Sequence, residues 1–139
     1  MLMRISNEKG NASIEFLGFL IILVLPSIIG ISVLGSVLSA KETGISAARE
    51  GARVFVRAQS HGEAYRSMDE TIERTLAYKD LRLERQSEIS CTASPCLTPG
   101  GSVTVTVYVH VDVPYMDTGL TVQARETMPV DELRAPRTG

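Results

Sequence analysis

Tryptophan is absent, and four Tyr and three Phe are the only aromatic residues. That is too thin a supply for a large independent core. Histidine is limited to His61 and His110. No second Cys or His cluster accompanies the two cysteines, so a complete metal-ligand set of the usual spacing is missing. There is no phosphate-cradling glycine loop and no nucleophile elbow. Ser, Asp and His occur singly, with no spacing that ties them into a triad. The residues point away from an enzyme, and no cofactor is expected. Formal net charge is only −2, and the basic residues are scattered. The electrostatic footprint of a nucleic-acid binder is therefore absent, and the acidic excess is too small to name a partner.

The most informative lack is local. Residues 16–40 contain no charged side chain. At 1.5 Å per residue such a run makes roughly 37 Å of helix, enough to cross a hydrocarbon core of ~30 Å with some tilt. A core helix in a domain this small would not be apolar all round for so long. A secretory signal cleaved near Ser39 or Ala40 is the alternative, but an h-region is shorter, ~7–15 residues. With the leader and span set aside, the remainder can bury only a modest core.

Behind the span, residues 41–58 contain no Pro, and Ile45, Ala48, Ala52, Phe55 and Val56 recur at helical spacing. One helix over residues 12–58 would be about 70 Å long. Pro26 lies inside it and should kink or locally open it. Small residues recur every fourth position at Ser32, Ser36, Ala40, Gly44, Ala48 and Ala52, with Gly51 beside them. Such a stripe lets another backbone approach closely. The soluble half can pack on the chain's own sheet and the membrane half on identical or related helices, dividing near Lys41. Arg49 and Arg53 are one turn apart on the same face. They are either rim residues of a helix lying on its own sheet or contacts between subunits.

The helix should break at Ser60-His61-Gly62. A second helix is predicted for residues 63 to about 78, with Tyr65, Met68, Ile72 and Leu76 on one face. A short polar strand is expected around Leu81, Leu83 and Ile89. Cys91 and Cys96 bound a small loop and fit a disulfide better than half a metal site, which implies an oxidising, extracytoplasmic setting. Valine at 103, 105, 107, 109, 111 and 113 alternates with polar residues, so a strand with one buried face is predicted there. His110 falls on the polar face as a solvated residue. Pro114 ends the strand, the residues around Met116 turn, and a partner strand starts at Leu120 and extends toward Met128. Pro129 belongs on an edge or at a bend. The tail from Arg134 reads as frayed. The fold class is α+β: a long N-terminal transmembrane helix continuing into the ectodomain, a second helix, and an antiparallel sheet of about three strands.

Gly10 precedes Asn11-Ala12-Ser13-Ile14-Glu15-Phe16, and the apolar run follows directly. This arrangement resembles the class III signal of type IV prepilins: a short polar leader ending in Gly, then Glu at the fifth mature position. Ala47-Ala48-Arg49-Glu50-Gly51-Ala52-Arg53 is similar to the Ala-Arg-Glu-Gly-Ala-Arg stretch of TadE-like minor pilins (pseudopilins) of tight-adherence pilus systems. The closing Ala-Arg-Glu-Thr-Met-Pro-Val stretch from Ala124 also resembles that family. The resemblance implies cleavage between Gly10 and Asn11 by a prepilin peptidase, with Glu15 guiding assembly. It divides the chain into a leader (1–10), a transmembrane and extended helix (11–60) and a small extracytoplasmic α+β domain (61–139). The implied partners are the peptidase, other pilins, the membrane assembly platform and the lipid bilayer, in surface attachment. It sets the C-terminal domain outside a bacterial cytoplasmic membrane, against the charge rule, because Lys41, Arg49, Arg53 and Arg57 follow the span. The alternatives are an uncleaved, membrane-anchored binding module and a conventionally secreted protein.

Overall fold

The computed structural model describes residues 8–114 and 117–133. The leader before Glu8, Tyr115 and Met116 within the expected turn, and the tail from Arg134 lie outside the described residues. The order is α1 (Glu8–Arg57), α2 (His61–Ala77), β1 (Arg82–Cys91), β2 (Ser102–Val111) and β3 (Leu120–Pro129). The expected α+β architecture is the one observed. The chain divides into two compact units, the first ending at Gly35 and the second beginning at Ser36.

In the first unit, α1 continues through Pro26. The proline ring removes one backbone donor, which frees the carbonyl one turn earlier. Next to it, the Ser27 hydroxyl donates to the Leu23 carbonyl at 2.7 Å. This internal bond satisfies a hydroxyl without a solvent partner. The side chains here are exposed and almost all apolar. This helix is long and apolar enough to cross a membrane.

In the second unit, the end of α1 and all of α2 supply an apolar layer for the sheet. Helix α1 stops where Ala58 N–H bonds Phe55 C=O in a tighter turn, at 3.3 Å. Ser60 then caps α2: its backbone is extended and its hydroxyl accepts from Glu63 N–H at 3.3 Å. The Glu63 carboxylate reaches back to Gln59 N–H at 2.9 Å. This variant of a capping box explains why α2 starts at His61 rather than at residue 63. Gly62 is tolerated because the cap satisfies the turn it sits in. The buried stripe of α2 is Ala64, Met68, Ile72 and Leu76, four residues apart. Tyr65, expected on that stripe, is half exposed and meets the Phe55 ring edge-on at 5.2 Å. The helix closes with Asp80 at φ 54 and Leu81 N–H bonded to Leu76 C=O at 3.0 Å, a left-handed cap that uses Asp in place of the usual Gly.

The three strands form an antiparallel meander in the order β1-β2-β3. Val103, Val105, Val107 and Val109 on β2 are fully buried against Ala40, Ala47, Ala48, Ala52 and Phe55 of α1 and the stripe of α2. Strand β1 is longer than expected. Its register slips between Leu83 and Arg85 and again between Arg85 and Glu88, so its side chains do not keep a period of two. That irregularity hid the strand's full length in the sequence, although a short strand around Leu81, Leu83 and Ile89 is expected there. β2 ends at Val111, earlier than the valine pattern suggests; Val113 is buried but outside the ladder. Pro129 ends the edge strand β3 opposite Ser102, where its missing N–H does no harm.

His110 differs from its expectation. Its side chain is only 13 % exposed, with Nδ1 against the Glu84 carboxylate and Nε2 3.0 Å from Asp112 Oδ1. Glu84 is the residue that the first register slip of β1 sets aside, which no alternation pattern could announce. Gly119 covers the imidazole: a Cβ there would lie 2.7 Å from His110 Cε1, and its φ of +59 also requires glycine.

Candidate functional site

Among the described residues α1 runs from Glu8, so the Gly10–Asn11 bond lies in helical backbone. Glu15 is exposed, one turn after Asn11. From there to Leu38 the large apolar side chains Phe16, Leu17, Phe19, Ile22, Leu23, Leu25, Ile28, Ile31 and Leu34 stay exposed.

The stripe of small residues splits. Ser32 and Ser36 are exposed, and a Cβ on Gly18, Gly30 or Gly35 would meet nothing within 4 Å. From Ala40 onward the stripe is buried. A Cβ on Gly44 would lie 2.9 Å from Ala124 Cβ and 3.0 Å from Val109 Cγ2. At Gly51 it would lie 2.9 Å from Ile72 Cγ1 and 3.2 Å from Met68 Cγ. Gly44 thus sets α1 close to the sheet, and Gly51 sets it close to α2. Ala48 and Ala52 extend the same contact.

The two arginines lie at the rim. Arg49 Nη2 donates to Glu126 Oε1 on β3 at 2.7 Å, joining helix to sheet, and Arg53 pairs with Glu50 at 3.4 Å. Lys41 Nζ donates to the Gln123 carbonyl of β3, fixing the start of the packed half. At the far end of the sheet, Cys91 and Cys96 form a disulfide with Cα atoms 5.2 Å apart. The loop behind it is tied by Ser102 N–H to Thr92 Oγ1 at 2.8 Å and by Val130 N–H to Gly101 C=O at 2.8 Å.

The chain matches no known protein family, curated protein or solved structure.

The outer face of the sheet holds a group of residues that the sequence did not single out. A cavity of about 240 Å³ is lined by Glu88, Ile89, Ser90, Thr104, Thr106 and Arg125. Glu88, Thr106 and Arg125 form one row across the three strands, each facing its neighbour in register. Thr106 is only 5 % exposed although it alternates with the inward valines. Among the described residues its hydroxyl makes no hydrogen bond and Arg125 makes no ion pair. A buried hydroxyl left unpaired costs about 1–3 kcal/mol. Glu88 is held firmly: Oε1 pairs with Arg85 at 3.1 Å, and Oε2 accepts from the Tyr108 hydroxyl at 2.9 Å. The Arg85 guanidinium in turn lies 3.7 Å above the Tyr108 ring. Thr104 and Thr127 share a hydrogen bond at 2.8 Å in the adjoining row. The alternation of β2 shows which residues share this face, but not that Thr106 is covered. Among the described residues no group of three or more His, Cys, Asp or Glu side chains could hold a metal ion.

Proposed function

We propose that the protein is a TadE-like minor pilin: a membrane-inserted subunit that takes part in assembling a tight-adherence pilus used in surface attachment. In this reading a prepilin peptidase clips it after Gly10, and residues 16–39 sit in the cytoplasmic membrane with the sheet domain outside. The partners are other pilins and the assembly platform.

The observation that carries this reading is the change of environment along one helix. The stretch behind Glu15 exposes apolar side chains on every side, whereas the stretch behind Ala40 is held on the sheet. Apolar surface on that scale needs lipid or other helices to cover it. The Gly10–Glu15 spacing directly before it is what a conventional anchor has no use for. A carboxylate at the edge of a span is costly unless it is paired. The ammonium created at Asn11 by cleavage, in the same chain or a neighbour, supplies the pair. The disulfide supports an oxidising compartment for the sheet domain.

N-terminal sequencing of the membrane-bound protein tests the reading. The expected mature start is Asn11, with Gly10→Val leaving full-length precursor, because a branched side chain obstructs the pocket that accepts glycine. An identical N-terminus in wild type and Gly10→Val overturns the assignment.

A further inference from the structure

The cavity on the outer face of the sheet has the donor and acceptor pattern of a ligand site. Arg125 offers five N–H donors in a planar fork that suits a carboxylate, and none is engaged within the described chain. Thr106, directly opposite it in register, is a buried residue of the cavity lining whose hydroxyl makes no hydrogen bond among the described residues. Ser90 adds a second hydroxyl to the wall. On the other side of Thr106, Glu88 is anchored by Arg85 and Tyr108 but keeps acceptor capacity, since an ionised carboxylate has about four lone-pair sites. The site is therefore two-ended: a cation at β3 with no ion pair among the described residues and a fixed acceptor at β1, two strand spacings apart, roughly 10 Å between backbones. A dianion such as phosphate would meet Glu88, and an apolar molecule would leave Thr106 unpaired.

We propose that this cavity binds a small hydroxy-carboxylate of sugar-acid type, its carboxylate on Arg125, its hydroxyls on Thr106, Ser90 and Glu88. The volume of about 240 Å³ admits one monosaccharide-sized molecule, since a water takes about 30 Å³ of liquid. The proposal is independent of the pilin reading and stands or falls on this face alone.

The test uses the full chain, labelled with nitrogen-15, in a polyoxyethylene detergent whose headgroup carries neither sugar nor charge. Glucuronate is titrated while the amides of Ser90, Thr104, Thr106 and Arg125 are followed by NMR. A ligand this small is expected to bind with a Kd in the low-millimolar range. Glucose, which lacks the carboxylate, and acetate, which lacks the hydroxyls, should each bind at least about tenfold more weakly, as expected when one set of polar partners is lost. Arg125→Gln, at an exposed position, should weaken glucuronate about tenfold, and the isosteric Thr106→Val by a few-fold, with the rest of the spectrum unchanged. No saturable shift with glucuronate, acetate binding as well as glucuronate, or full affinity in Arg125→Gln would each overturn the proposal.

Discussion

The two halves of α1 share a vocabulary of small residues and aliphatics, yet they live in opposite surroundings. Phe19 is 64 % exposed and Phe55 0 %. Gly35 has nothing near it, while Gly44 has a β-carbon and a methyl at contact. Residue type alone does not distinguish these pairs. What distinguishes them is whether another element of the same chain can reach the helix. From Ala40 onward the sheet and α2 do so, and the small residues become close-approach points. Before that, the same residue types stay exposed among the described residues.

The contrast is sharpest for the two phenylalanines. Phe55→Ala should destabilise the sheet domain by about 3–5 kcal/mol, the usual cost of emptying a buried aromatic site. Phe19→Ala should leave that domain's unfolding midpoint unchanged. Urea unfolding followed by far-ultraviolet circular dichroism compares them, and equal losses would dissolve the distinction between the halves.

The glycines come next. Gly44→Ala forces a β-carbon against Ala124, whose own β-carbon is tied to the backbone and cannot swing aside. A loss of about 1–3 kcal/mol is expected from overpacking. Gly35→Ala should be neutral or slightly stabilising, since alanine is the better helix former by about 1 kcal/mol. The same unfolding measurement decides it.

Removing the disulfide through Cys91→Ser with Cys96→Ser should cost about 2 kcal/mol, the low end of the usual range, because the loop it closes is short. Non-reducing peptide mapping of the exported protein should recover the linked pair. Two free thiols there would count against the extracytoplasmic placement.

Glu15→Ala should have the smallest effect on stability, none that unfolding detects, because the side chain is exposed and belongs to the first half. On the proposed pilin reading its effect lies between chains: normal insertion and processing, but poor co-purification with partner pilins and fewer surface pili. In that proposed assembly the carboxylate would face the ammonium at Asn11 in low dielectric, and removing one partner would leave the other charge uncompensated. Normal piliation in this variant would remove Glu15 from any role in assembly.

Sequence by itself determined the features that depend on local periodicity and chain chemistry. The run at 16–40 reads as a helix long and apolar enough to cross a membrane, because a small domain could not bury it all round. The valines of β2 have to line one face, because strand side chains alternate. Cys91 and Cys96 are near enough in sequence to pair in the loop they bound. Only the tertiary structure decided the rest. It set the start of the buried half of the stripe at Ala40, because close approach is a property of two surfaces and the sequence writes one of them. It gave Arg49 to Glu126, 77 residues away. It placed two register slips in β1, which turned Glu84 toward His110 and drew that histidine out of solvent. And it covered Thr106 between β1 and β3, so that a residue of an outward-facing pattern became buried beside an arginine with no ion pair among the described residues. Alternation assigns a side chain to a face; what stands beside it on the neighbouring strands decides how much water it meets.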